Sequence, residues 1–151
     1  MLTKIEALNY RALHSISQTL RPFQVLVGPN ASGKSTFLDV VAFIADLINK
    51  PTLADAVYAR GAKDIRDLTW NHASEWLELA VEVDIPPSIL SRPQLSQYRR
   101  LRYEVRIGAQ EESSELAILV ETLWLVPPKS VTQANHVQPR LFPSEPAVPA
   151  R

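Results

Sequence analysis

The chain has 151 residues, 46% of them hydrophobic, and its formal net charge is zero. This length suits one domain with a buried core, and the balanced charge argues against strong non-specific nucleic-acid binding by the whole chain. Because the sequence has no cysteine, disulfides and thiolate metal sites are excluded. With neither a membrane-spanning apolar run nor a signal peptide at the amino terminus, we expect a cytoplasmic protein.

The chain is predicted to begin with two strands, Leu2–Leu8 and Leu13–Ser17, joined through Asn9-Tyr10-Arg11. Arg21-Pro22 then forms a turn into Phe23–Val27, a short apolar run of β-prone residues. We expect this run to be a buried strand.

Residues 28–36 follow that strand directly and read GPNASGKST. They match the phosphate-binding (Walker A) pattern G-x-x-x-x-G-K-[ST] from Gly28 to Ser35. Residues 34–48 are predicted to form the next helix, with an apolar stripe made of Phe37, Leu38, Val41, Ile44, Ala45 and Ile48. Strand, glycine loop and helix follow in the order that the motif requires, which favours a nucleotide site over a chance turn.

The loop residues suit phosphate chemistry. The two glycines let the backbone approach phosphate oxygens without a Cβ in the way, and the backbone N–H groups form an anion nest at the helix start. Lys34 is expected to bind the β- and γ-phosphates, Ser35 to bind Mg²⁺, Thr36 to contact the α-phosphate, and Asn30 to lie near the γ-phosphate. The predicted nucleotide-binding residues of the loop are Gly28, Pro29, Asn30, Ala31, Ser32, Gly33, Lys34, Ser35 and Thr36.

The helix should end before Pro51. Thr52–Tyr58 is predicted to be a short helix with Thr52 as its N-cap, and residues 60–71 a loop or short helix. Trp70 and Trp76 are expected in the core rather than stacked on an adenine. The histidines His14, His72 and His136 are scattered, and no two have metal-ligand spacing.

Two half-buried strands with alternating pattern follow at residues 77–85 and 101–107. Their polar faces are predicted to be solvated, one acidic and one mostly basic. Antiparallel pairing would set acidic residues opposite basic ones, namely Glu78, Glu82 and Asp84 opposite Arg100, Arg102 and Arg106. Charge reversal of Arg102 is therefore expected to destabilise only slightly. The alternative is that the basic cluster, which also includes Arg99, contacts nucleic-acid phosphates.

Residues 116–126 are apolar on both faces and are predicted to be a central strand after a polar turn at 111–115. Glu121 in this strand was considered as a metal-site carboxylate, but we interpret it as one polar residue in a structural strand. Residues 1–126 form the predicted domain, and 127–151 a proline-rich disordered tail.

The chain resembles the amino-terminal half of ABC-type ATPases of the RecF, SMC and OLD kind, often labelled AAA-family proteins. The resemblance covers about residues 1–126. It rests on the opening 5–13 with its Asn9-Tyr10-Arg11, which is similar to the family's N-F-R element, on the loop 25–36, and on the β-rich arm after the first helix. Ala31 stands where glycine is commoner in that family.

This resemblance implies an α/β fold, the amino-terminal lobe of a P-loop NTPase head with an antiparallel β-arm. It implies binding of ATP and Mg²⁺, hydrolysis coupled to dimerisation with a second head, and a position near the phosphates for Arg11. The family's signature motif, Walker B carboxylates and switch histidine are not visible in this sequence. We therefore expect a truncated or split head with no turnover of its own. Two alternatives stay open, a non-catalytic nucleotide-binding or DNA-associated module and a P-loop kinase of small molecules.

Overall fold

The computed structural model describes residues 1–110 and 112–128, so the predicted tail lies outside the described residues from 129 onward. Five strands and three helices are connected by short 3₁₀ turns. In chain order they are β1 (Leu2–Tyr10), β2 (Leu13–Thr19), α1 (Lys34–Asn49), α2 (Leu53–Tyr58), the 3₁₀ turns Ile65–Leu68 and Trp70–His72, β3 (Trp76–Asp84), α3 (Pro87–Leu90), the 3₁₀ turn Pro93–Leu95, β4 (Arg100–Ala109) and β5 (Leu116–Val126). All neighbouring strands are antiparallel, in the order β2-β1-β3-β4-β5.

The first hairpin is tighter than predicted. β1 continues through Tyr10, which pairs with Leu13, so that only Arg11 and Ala12 form the turn. Asn9 and Arg11 both adopt positive φ, of 55° and 50°. At Arg11, the first of the two turn residues, this left-handed conformation suits a two-residue turn between twisted strands, whereas Asn9 lies within β1.

Helix α1 is confirmed almost to the residue, and it ends before Pro51 as expected. Its buried face differs from the predicted stripe, since it consists of Phe37, Val40, Phe43 and Ile44, which pack on the apolar face of β1 and β3. Leu38, Ala45 and Ile48, which we expected in the stripe, are exposed. The helix is apolar around most of its circumference, so the periodic pattern does not by itself identify the face that meets the sheet.

The pairing of β3 with β4 is confirmed, with Glu78 opposite Arg106, Glu82 opposite Arg102 and Asp84 opposite Arg100. The prediction of a solvated polar face was wrong for several of these side chains. Glu78, Arg102 and Glu104 are buried, because the long side chains on this face cover one another.

The charges on this face lie close together. Arg102 contacts Glu6, Glu82 and Glu104, and Trp124 donates its indole N–H to Glu104 at 3.1 Å. Burial raises the pKa of Glu78, and the adjacent Arg106 only partly opposes this. The face is therefore an ion network with little contact to water.

Two strand predictions differ from the structure. β5 was expected to be central, but it is an edge strand whose only strand neighbour among the described residues is β4. Residues 23–27 were expected to form a buried strand, but they are irregular chain outside the sheet, and Val27 is 89% exposed. A strand needs a neighbour for its N–H and C=O groups, and none of the five described strands pairs with this run.

Candidate functional site

The glycine loop forms a compact turn at the amino end of α1. Gly33 is the N-cap of the helix and has a left-handed backbone with φ of 87°, and its carbonyl accepts the first helical hydrogen bond from Phe37 at 2.8 Å. Ala31 also has positive φ. The first turn of α1 has no acidic residue, so the positive end of its dipole is left for an anion.

The Lys34 side chain curls back over this loop. Its ammonium donates to the carbonyl oxygens of Gly28 at 2.8 Å and Pro29 at 2.5 Å, and it lies 3.4 Å from the Ser32 hydroxyl. The positive charge is thus held inside the turn that the loop describes. A Cβ added to Gly28 would lie 2.9 Å from the Ser32 hydroxyl oxygen, so this position is filled by the loop itself.

The β1–β2 hairpin packs against the loop at Gly33. A Cβ placed on Gly33 would lie 3.1 Å from a methyl carbon of Leu13 and 3.8 Å from the Cβ of Ala12. Glycine at 33 is therefore required twice, by its positive φ and by this close approach. Sequence reasoning assigned no role to Leu13, and no motif signals it.

Arg11 extends from the same hairpin toward the second turn of α1. Its guanidinium pairs with Asp39 at 3.2 Å, and the Tyr10 hydroxyl donates to the same carboxylate oxygen at 2.5 Å. Burial, together with the neighbouring Asp39 carboxylate, raises the pKa of Tyr10 above its usual range. In this structure Arg11 is held by Asp39, five residues after Lys34, and not by the loop.

Arg60 completes this cluster from the segment after α2. Its side chain is 5% exposed and pairs with Asp39 at 3.4 Å and with Asp46 at 2.9 Å. It lies 4.1 Å from the ring centroid of Phe43, which in turn stacks on Tyr10. Asp39 and Arg60 were missed as site-supporting residues. The available signal was that Asp39 interrupts an otherwise apolar helix.

The other predicted site residues fall into two groups. Asn30 and Ser35 are exposed at the loop and the helix start, and Thr36 is half-buried beside them. Glu121, by contrast, lies on β5, which β3 and β4 separate from β1. At normal strand spacing, β5 is roughly 14 Å from β1. The Glu121 carboxylate accepts a hydrogen bond from the Tyr103 hydroxyl at 2.6 Å.

The remaining candidates have structural surroundings. Trp76 and Trp70 are half-buried rather than fully in the core, Trp76 beneath the Arg106 guanidinium and Trp70 against His14. His14 and His72 are exposed, and His136 lies outside the described residues. Within residues 1–110 and 112–128, no group of three acidic or histidine side chains is placed to hold a metal ion.

The donor set of the loop fits a bound phosphate chain. A left-handed glycine cap, a helix start without a nearby carboxylate and an ammonium turned into the loop all favour negative charge at this point. The exposed Ser35 hydroxyl is an oxygen ligand of the type that Mg²⁺ prefers.

Comparison with known proteins agrees with this geometry. The family described as "AAA domain, putative AbiEii toxin, Type IV TA system" matches residues 23–130. The chain belongs to this AAA domain family. The family match begins at the exposed run 23–27 and includes the whole phosphate loop, α1 and the three strands that follow.

The AAA chain also shares its fold with a solved SMC ATPase structure, described as "Structural biochemistry of ATP-driven dimerization and DNA stimulated activation of SMC ATPases". The two are 17% identical with a TM-score of 0.54, over 83% of this chain and 70% of that chain. The fold is thus a mixed α/β P-loop NTPase lobe. None of the helices in the described part of the chain is long and apolar enough to cross a bilayer.

Proposed function

We propose that this AAA chain is the ATP-binding lobe of an ABC- or SMC-like ATPase head. In this proposal the loop from Gly28 to Thr36 binds the phosphates of ATP, and hydrolysis depends on residues supplied by a second head or by a complementary half. The single observation that carries the proposal is the loop geometry, in which Gly33 caps a helix with no acidic first turn and Lys34 points its ammonium into the loop.

The roles of the individual residues follow from their chemistry. Lys34 exchanges its carbonyl partners for β- and γ-phosphate oxygens. The new hydrogen bonds are stronger than the old ones, because both partners are charged. Ser35 is the proposed Mg²⁺ ligand, the half-buried Thr36 is the proposed contact of the α-phosphate, and the exposed Asn30 is proposed to lie near the γ-phosphate. Mg²⁺ held by Ser35 would offset the negative charge of the phosphates. Arg11 contacts the phosphates only after it leaves Asp39.

The need for a second component is supported by apolar surface around the loop. Phe23, Val25 and Val27 precede it and are exposed, and Leu38 is exposed on the second turn of α1. Exposed apolar side chains grouped in this way mark a surface that another element covers. A second ATPase head or a missing carboxy-terminal half is the proposed occupant, and DNA is a further proposed partner of the assembled head.

The alternative of a nucleotide-binding module without catalysis has one observation in its favour. The carboxylates that project from α1, Asp39 and Asp46, are both engaged by Arg60. Neither carboxylate is therefore free to position a metal-bound water. A small-molecule kinase has no comparable support.

The test compares the nucleotide affinity of the wild-type chain with that of a variant that lacks the loop lysine. A fluorescent ATP analogue in Mg²⁺ should bind the wild-type chain about tenfold or more tightly than Lys34→Ala, since the variant loses a charge-assisted contact to phosphate. Lys63→Ala is the matched control, because Lys63 is exposed and lies far along the chain from the loop.

Equal affinities of wild type and Lys34→Ala would contradict the proposal. Equal losses in Lys34→Ala and Lys63→Ala would also count against it, since they would indicate general electrostatic attraction of the nucleotide.

A further inference from the structure

The unpaired side of β5 and its exposed apolar side chains form a surface that we call the β5 edge. It consists of Ile118, Leu119, Leu123 and Leu125, which are all exposed, and the free backbone groups of the strand. The helical layer covers β1 and β3 through α1, and α2 lies near β5, where Leu116 packs against the core. Most of the β5 edge therefore faces solvent on its side chains and on its backbone.

The opposite edge of the same sheet, β2, differs from β5 in length and in the polarity of its side chains. β2 reads LHSISQT, is seven residues long and exposes mostly polar side chains. β5 is 11 residues long and reads LAILVETLWLV, without lysine or proline. Short length, lysine and proline are the features that keep sheet edges from pairing. β5 is long and lacks lysine and proline, and its protection is limited to one register shift opposite Arg106 and Ile107 and the single charge of Glu121.

A second copy of this chain is a poor occupant of the β5 edge. Antiparallel self-pairing over the full strand Leu116–Val126 is centred on residue 121, because 121 lies midway between 116 and 126. Glu121 would then face the Glu121 of the other copy, and like charges directly opposite destabilise a strand pair. A slip by one residue avoids this but turns the apolar side chains to the other face. A slip by two residues keeps the faces but sets each Glu121 opposite Leu119 or Leu123, which offer its carboxylate no cation.

We propose that the β5 edge binds an extended segment of a partner protein, an apolar strand with a lysine or arginine opposite Glu121. Glu121 is the one charged residue of β5, and it is exposed. The Tyr103 hydroxyl donates to its carboxylate at 2.6 Å, which fixes the carboxylate over the sheet. Backbone pairing supplies most of the affinity in strand addition, and side-chain contacts supply the specificity. The central cation sets the register.

The experiment uses two designed 11-residue peptides of alternating valine and threonine, one with lysine and one with glutamate at the centre. N-methyl groups along one backbone edge prevent the peptides from pairing with one another. Fluorescence anisotropy with the full chain should show that the lysine peptide binds about threefold or more tightly than the glutamate peptide. In Glu121→Lys the preference should invert, and N-methylation of the other backbone edge should abolish binding.

Three results would overturn the proposal. The first is no binding of either peptide to a chain that melts normally. The second is binding that ignores both the central residue and the methylated edge. The third is a wild-type dimer in sedimentation that Leu123→Lys separates into monomers, since this would make a second copy the occupant. Leu123 is 61% exposed, so its replacement should leave the fold intact.

Discussion

Asp39 connects three parts of the chain at one carboxylate. Tyr10 and Arg11 reach it from the first hairpin, and Arg60 reaches it from the segment after α2. Because Asp39 lies on the helix that begins at Lys34, these contacts fix the orientation of the phosphate-loop helix against the sheet. Its importance is geometric, since it holds the helix that presents the loop.

We expect Asp39→Asn to lower the free energy of unfolding by about 1–3 kcal/mol, because it removes charge-assisted bonds from a largely buried arginine. Urea denaturation followed by circular dichroism measures this loss. Glu115→Gln is the control, since Glu115 is exposed in the β4–β5 turn and its side chain has no described partner. Similar unfolding curves for the two variants would show that Asp39 does not hold the helix.

At the scale of elements, the polar sheet face contradicts the expectation that charge reversal of Arg102 costs little. Arg102 is buried among Glu6, Glu82 and Glu104. Burial alone would raise the pKa of Glu6, but its hydrogen bonds to Lys4 and Ser17 and the charge of Arg102 lower it. Removing one cation therefore affects several carboxylates.

We expect Arg102→Met to cost about 3–5 kcal/mol of stability, since it leaves buried carboxylates without their cation. Arg99→Met is the matched control, because Arg99 is exposed and lies immediately before the same strand, and we expect a change within about 0.5 kcal/mol. Thermal or urea denaturation measures the free energy of unfolding of the two variants and of the wild type. If Arg102→Met unfolds like Arg99→Met, the network is not stabilising.

The elements with local signals were predictable from the sequence. Thr52 caps α2 as expected, with its hydroxyl accepting from the Asp55 N–H, and charge alternation predicted the register of β3 against β4. The failures at Phe23–Val27 and β5 have one cause. An apolar run shows that a segment is suited to burial, but whether neighbours lie on one side, both sides or neither is decided by the rest of the sheet.

At the scale of the whole molecule, we propose that the lobe holds a nucleotide but does not cleave it by itself. The loop and the helix dipole are together at one end of α1. The carboxylate considered for catalysis, Glu121, is on the far side of the sheet and bonded to Tyr103. Because phosphoryl transfer depends on positioned charges, losing them costs many orders of magnitude in rate.

We therefore expect the purified chain to bind Mg-ATP and to release phosphate only at the background rate. A coupled phosphate-release assay measures this, and Glu121→Gln should give the same baseline. Turnover of about one per second that disappears in Lys34→Ala would contradict the prediction. In that case the lobe would contain a catalytic carboxylate of its own.

The order β2-β1-β3-β4-β5 also has a kinetic consequence. β1 with β2, and β3 with β4 and β5, can each form between neighbouring segments of chain, but the β1–β3 seam joins residues about 75 positions apart. Non-local pairing of this kind forms slowly, because a long loop must close first. The phosphate loop and α1 lie within that long loop. The hairpin that supports Gly33 and the sheet that receives α1 meet only when the seam closes, so we expect the recovery of nucleotide binding during refolding to follow the slow closure of this seam.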